Sequence, residues 1–426
     1  MNSTFVFQPI QRRVLAGGMA LGLLCLVITF LVDDPLHTRF WSNLLHNSVF
    51  FVGISFMALF IQAAFTTAWA GWYVQFKRVW EAYSTFLIPG IFLMLIFAIG
   101  VWGHFHHLYH WADEATLDPA SEEYDPILVG KSSFLNKYWY TFGTLVIMGI
   151  WIWFARRIRS LSLAEDQQGG AGDLSFHRKI RIWSAIFLPV AGFTSAALIW
   201  QWVMSIDSHW YSTLFAWYVG ASWFVAAMSL TVLMLIYFKA LGYFQNVTSE
   251  HLHDLGKYVF AFSIFWTYLW FSQYMLIWYG NVGEETIYFR ERLDHYQVLF
   301  YGNLILNFIA PFFILMRNDT KRKNGSMILT AIIVFIGHWI DFFVMIKPGV
   351  YHTAQEVLAH SGGEAAEGGH HASSIAMGFT IPGLLEWGTF IGFACFFTYF
   401  VFQALTKASL VPQNDVYLKE SLHHHV

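Results

Sequence analysis

Met327-Ile-Leu-Thr-Ala-Ile-Ile-Val-Phe-Ile-Gly-His-Trp-Ile-Asp-Phe-Phe-Val-Met-Ile346 decides the fold. As a helix rising about 1.5 Å per residue, this stretch reaches about 30 Å, the thickness of the hydrocarbon core of a bilayer. It carries a single carboxylate and a single imidazole. No water is available in such a core, so the backbone must satisfy its own hydrogen bonds, and the stretch reads as a membrane-spanning helix.

Nine further segments of the 426-residue chain read the same way. The ten lie near Val14–Val32, Asn47–Gly71, Ser84–Gly103, Tyr138–Phe154, Ile182–Ile206, Tyr211–Phe238, Leu255–Gly280, Tyr296–Met316, Met327–Ile346 and Gly383–Thr406. Composition agrees: 57% of residues are hydrophobic and 12% are charged, whereas a soluble domain carries about 25% charged residues. The expected fold class is an all-α polytopic membrane protein. A net charge of −3 without a long basic run excludes nucleic-acid binding. Cys25 and Cys395 both lie in apolar segments, and there is no CxxC or CxxCH motif. The chain therefore offers no cysteine set for zinc, an iron–sulfur cluster or covalent haem.

Lys and Arg remain on the cytoplasmic side of a bundle. With the N-terminus inside, 18 of the 24 basic residues fall on that side and six on the other, so both termini are expected to be cytoplasmic. The first segment follows Arg12 and Arg13, lacks a small-x-small cleavage site and reads as a retained helix. Trp and Tyr gather near several segment ends, as an interfacial belt does. Two outer excursions are expected, at 104–137 and 347–382, the second with a flexible Gly-rich tract from His360. An internal echo links Val203, Met204, Ile206, Tyr211 and Thr213 with Val344, Met345, Ile346, Tyr351 and Thr353, after one gap. Such a repeat would be parallel and would pair segments two to five with six to nine.

Ionisable groups inside a bilayer are costly, and each is a functional candidate. His338 and Asp341 are three positions apart on one helical face, so Asp341 can hand a proton to His338; the alternative is a buried pair that locks two helices. Glu386 is the expected third member, or else a carboxylate suited to a helix N-terminus. Asp207-Ser208-His209 form a tight turn that reads first as helix capping, although the echo places Asp207 near the counterpart of Asp341. Asp341 lies about 7–8 Å and His338 about 12 Å from the outer helix end, so both occupy the outer half. The inner half shows only neutral groups such as Gln62, Thr66, Thr67, Ser84, Thr231 and Asn307. A half-channel opening outward is the expectation.

His104, His106, His107 and His110 could bind zinc or copper, or form a solvated interfacial cluster. The acidic stretch Asp113, Glu114, Asp118, Glu122, Glu123 and Asp125 could dock a basic cytochrome, or simply reflect the exclusion of basic residues from the outer face. Bis-histidine haem is disfavoured, because His338 reads as the only histidine well inside a helix. Pro89, Pro189 and Pro311 fall near segment ends, which gives no broken-helix substrate site of the transporter kind.

The stretches Val203-Met-Ser-Ile-Asp-Ser-His-Trp-Tyr-Ser-Thr213 and Phe271-Ser-Gln-Tyr-Met-Leu-Ile-Trp-Tyr-Gly-Asn-Val-Gly-Glu-Glu-Thr286 resemble the ActF family. These NrfD-like subunits of alternative complex III are often labelled quinone-binding subunit 2 of a quinol:cytochrome c oxidoreductase. The resemblance covers essentially the whole chain. It implies two four-helix bundles, helices two to five and six to nine, with two peripheral helices, in the bacterial cytoplasmic membrane. It also implies a sister subunit, ActC, under an iron–sulfur protein as the better place for quinol oxidation, with multihaem and monohaem c-type cytochromes carrying electrons away. A terminal oxidase and membrane lipids are further candidate partners, and a quinone is the candidate ligand. On this reading haem c and iron–sulfur clusters belong to the partners. The subunit scaffolds the membrane arm, with Asp207, His209, His338, Asp341 and Glu386 as candidate proton-handling residues and no assigned quinone ligand. The competing class is a self-sufficient secondary transporter or proton channel.

Overall fold

The computed structural model describes residues 4–121, 124–169, 173–360 and 378–425. Its long helices are α1 (Pro9–Val32), α2 (Thr38–Thr67), α3 (Val74–Gly103), α4 (Lys137–Gln168), α5 (Ser175–Trp202), α6 (Thr213–Ala240), α7 (Ser249–Gly280), α8 (Gln297–Leu315), α9 (Asn324–His360) and α10 (Leu384–Leu405). Among the described residues, nine of these are long and apolar enough to cross a membrane. The tenth, α7, has 32 residues but is rich in Trp and Tyr, which lowers its mean hydropathy. The protein is therefore an all-α, polytopic membrane protein.

Local chemistry sets several helix starts. Asn136 accepts the Trp139 N–H at 2.7 Å ahead of α4, and Thr248 accepts the Glu250 N–H at 3.3 Å ahead of α7, each satisfying an N–H that has no partner within its helix. The packing groups α2 with α3, α4 and α5, and α6 with α7, α8 and α9. α2 joins the two groups through α6 and α9, and it is the axis of the molecule: 89% of its most apolar window is buried, against 17% for α1. Gly53 permits the close approach of α2 to α6, since a Cβ there would sit 1.8 Å from Trp223 Cε2. α1 and α10 pair beside this core. Their backbones meet at Gly22 and Gly392, where a Cβ on Gly22 would lie 2.4 Å from the Gly392 Cα, the small-residue contact that helices use where burial from water cannot drive them together. Thr4 and Ser409 form a bridge that brings the two chain ends together at one end of the bundle, here called the terminal end.

Several boundaries depart from the sequence reading: α4 runs past Phe154 to Gln168, and α5 and α7 begin early, at Ser175 and Ser249. α2 begins at Thr38, which places His46 deep inside a helix. α3 begins ten residues before Ser84, so Lys77, Arg78 and Glu81 belong to it. α9 runs through Pro348 and turns much of the expected second excursion into helix. A proline there cannot donate to the Val344 carbonyl, and Arg292 Nε does so instead at 3.1 Å, a replacement donor of the sort that makes proline tolerable in a buried helix. The tract 361–377 lies outside the described residues, as do Glu122 and Glu123. The first excursion, 104–137, folds over the bundle, with Leu108, Tyr109 and Trp111 buried. The echo of α5 in α9 does not extend to local structure: Asp207–Ser212 is a turn, whereas Tyr351 and Thr353 are helical.

Candidate functional site

Asp341 stands where α6, α7, α8 and α9 meet, and its side chain is 0% exposed. Each neighbouring helix presents a donor to it. Tyr218 and Ser222, one turn apart on α6, both donate, Ser222 Oγ at 3.0 Å from Oδ2. Trp266 Nε1 on α7 donates at 2.9 Å, and Asn303 Nδ2 on α8 at 3.3 Å. All four donors are neutral. This one carboxylate fixes the register of a whole four-helix group.

The expected direct contact with His338 is absent. Nδ1 of His338 lies 4.0 Å from Asp341 Oδ2, and Ser222 Oγ stands between them, 2.9 Å from Nδ1. A serine hydroxyl has one proton and two lone pairs, so Ser222 can donate to the carboxylate while accepting from Nδ1–H, or reverse both bonds. Reversal moves a proton between Asp341 and His338 without either side chain moving. His338 Nε2, Asn303 Oδ1 and both amide atoms of Asn307 have no hydrogen-bond partner among the described residues, although all are buried. Asn307 sits in a π-helical turn, Ile305–Ile309, directly before Pro311, which lacks the N–H that an α-helical bond to the Asn307 carbonyl requires. Such widened turns favour functional sites. Gly337 leaves the room: a Cβ there would lie 2.2 Å from Asn307 Oδ1.

Toward the other end of the bundle, Arg292 of the short helix Gly283–His295 is almost wholly buried. It binds Asp207 Oδ2 at 3.1 Å and the carbonyls of Val344 and Met345, about one turn beyond Asp341 on α9. Its guanidinium stacks 3.4 Å from the Tyr288 ring centroid, and Tyr288 stacks on Trp210. Asp207 thus acts as a partly buried counter-ion rather than as a helix cap, and it belongs to the layer above Asp341.

The remaining candidates lie elsewhere. Glu386 is not a third member of the Asp341 site. It accepts Arg39 Nε and Nη2 at 2.7 and 2.8 Å, Asn43 Nδ2 at 2.9 Å and the Gly383 N–H at 2.9 Å, so the N-terminal reading holds in part. Asn43 also accepts from Lys347 Nζ at 2.6 Å, which makes a charged junction of α2, α9 and α10. Lys347, expected in a loop, is fully buried there. His209 lies at the surface, paired with Asp125. Burial works against the Asp125 carboxylate, but His209 and the N–H groups of Ile127 and Leu128 outweigh it and hold it below its ordinary range. His104, His106, His107 and His110 border one shallow cavity, with His106 Nε2 on the Phe97 carbonyl at 3.1 Å. Among the described residues, no three His, Cys, Asp or Glu side chains come together to hold a metal ion. His46, deep inside α2, is engaged by the Trp339 carbonyl at 2.8 Å.

A second ionisable system occupies the terminal end, where the sequence reading saw only neutral groups. Arg78 pairs with Glu81 at 2.6 Å and with Asp166, and Lys77 pairs with Asp415 and with Glu165 at 3.4 Å. Gln62 Nε2 reaches Glu81 at 3.3 Å, and Arg159 donates to the Glu81 and Ala404 carbonyls. Glu81 and Glu165 are buried carboxylates. A polar cavity beside them is bordered by Gln62, Thr66, Tyr73, Lys77, His177 and Tyr417. The spacing of Lys77, Arg78 and Glu81, three and four positions apart, was the available signal.

No protein-family model matches the chain, and no curated protein matches it.

Proposed function

We propose that the chain is a membrane subunit of a bacterial quinol:cytochrome c oxidoreductase of the alternative complex III type. In this reading it carries no redox centre of its own, supports the membrane arm and moves protons through the Asp341 site. The family resemblance of Val203–Thr213 and Phe271–Thr286 supports the first part, and the polytopic helical architecture is compatible with it. The observation that carries the proton role is the buried Asp341–Ser222–His338 relay, with unpartnered polar atoms of His338, Asn303 and Asn307 beside it. Those atoms can bind the waters through which protons travel.

Quinol oxidation needs a base within hydrogen-bond reach of the quinol hydroxyl and an electron acceptor nearby. Asp341 and His338 are sealed from the lipid by their own helices, so the quinol site is assigned to an NrfD-like sister subunit under an iron–sulfur protein. The c-type cytochromes then receive the electrons. The distribution of basic residues supports a cytoplasmic terminal end, and on that reading the Asp341 and Arg292–Asp207 layers form a half-channel from the outer face. The Glu81 network offers polar groups on the inner side.

A visible difference spectrum, dithionite-reduced minus oxidised, taken on the protein captured gently from its native membrane tests this reading. Haem c bands with stoichiometric cytochrome and iron–sulfur polypeptides are expected. A colourless protein isolated intact and alone would overturn the assignment and favour a self-sufficient proton channel or transporter. The presence of ionisable systems at both depths within one chain is the observation on that side.

A further inference from the structure

Six basic residues crowd the terminal ends of α4 and α5 beside the buried network, and they divide by direction: Arg181 stacks 4.0 Å from the Trp69 ring centroid. Arg159 points inward to the Glu81 and Ala404 carbonyls. Arg156, Arg157, Arg178 and Lys179 are exposed and form no ion pair among the described residues. Asp173 interacts electrostatically with Lys179 and is itself hydrogen-bonded to Ser175. Excess positive charge on a cytoplasmic face would by itself follow from membrane insertion. The arrangement goes further than that.

Trp153 and Arg157 are one turn apart on α4, and Lys179 and Trp183 are one turn apart on α5, so each helix presents a cation and an indole along one face. The two faces meet. The Trp153 and Trp183 rings cross with centroids 5.1 Å apart, and the Arg157 guanidinium lies 5.7 Å from the Trp183 centroid. Trp153 is 50% exposed, and Ile182 and Ile186 continue the apolar surface along α5 away from the cations. Cations at the bundle end, indoles at the interface and an aliphatic wall beyond reproduce, in order, the headgroup phosphate, glycerol and acyl chains of a phospholipid.

We propose that the groove between α4 and α5 binds an anionic phospholipid, its phosphate held by Arg157 and Lys179 and its chains laid along Trp153, Trp183 and Ile186. Arg156 and Arg178 add flanking charge. The site is separate from the Asp341 relay and does not depend on the redox assignment.

The test is native mass spectrometry of the full-length protein, delipidated in detergent and exposed in turn to phosphatidylglycerol and phosphatidylcholine. Phosphatidylglycerol should be retained about tenfold more strongly. That preference should vanish in R157A/K179A and return in the charge-keeping R157K/K179R, with thermal unfolding of both variants matching the parent. Millimolar inorganic phosphate should leave the bound lipid in place. Equal retention of the two lipids, or an unchanged preference in R157A/K179A, would overturn the proposal. Displacement by phosphate alone would reassign the groove to the free ion.

Discussion

Ser222→Ala removes the hydroxyl that touches both His338 Nδ1 and Asp341 Oδ2 and leaves both titratable groups in place. Asp341 keeps Tyr218, Trp266 and Asn303 as donors, whereas His338 Nδ1 loses its hydrogen-bond partner. Leaving one buried polar group unsatisfied costs about 1–3 kcal/mol. The same change converts two hydrogen-bonded steps of 2.9 and 3.0 Å into one open gap of 4.0 Å. If the barrier to proton movement rises by a similar ~1–3 kcal/mol, transfer slows about 5- to 150-fold. On the proposed assignment, the assay is quinol:cytochrome c reductase turnover of the purified complex in proteoliposomes, with proton release followed by a pH-sensitive dye and folding followed by thermal unfolding. Ser222→Thr keeps the hydroxyl and should retain most of the rate. A folded S222A complex that turns over and releases protons within about twofold of the parent would refute the relay, since a 1.4 kcal/mol effect already exceeds that.

Asp415→Asn should loosen the C-terminal segment by about 1.5–3 kcal/mol, because a hydrogen bond between charged groups is lost while Lys77 keeps Glu165; limited proteolysis near Gln413 reads this out. Burial opposes ionisation of Asp415, but Lys77 outweighs it and holds the carboxyl below the ordinary aspartate value of 3.8. Its contribution to docking is therefore complete above that value and disappears as pH falls through the lower, folded one, so protease sensitivity should rise only under acid conditions. Gly53→Ala would place a methyl group 1.8 Å from the Trp223 ring, and the overpacking should cost at least about 1–3 kcal/mol in a thermal-shift assay. An unchanged unfolding temperature would show that α2 and α6 are not held at that distance.

The apolar segments were legible because spanning length and hydropathy are local properties, and ten long helices lie where ten were expected. The seventh differs only in being aromatic rather than aliphatic. His338 and Asp341 were legible too, since a charge in an apolar helix stands out against its own neighbours. Their relation was not: the bridging serine comes from α6, 116 and 119 positions away in the chain. The same reason accounts for the misplaced start of α3. Lys77 and Arg78 look like a hydrophilic flank until Asp415, 338 residues on, and Asp166 are brought against them. The continuation of α9 through Pro348 is not legible locally, because the donor that repairs the break, Arg292, belongs to a different segment. Local windows register the cost of a buried charge or an interior proline, but the distant residue that offsets it appears only in three dimensions.

The central claim concerns Asp341, and its most direct test is Asp341→Asn in the complex that the proposed function expects. An amide keeps the shape but cannot take up and release a proton at neutral pH. The account predicts that turnover and proton release both fall by about tenfold or more, with subunit composition and haem content unchanged. Parent-like turnover and proton release in a fully assembled Asp341→Asn complex would contradict it.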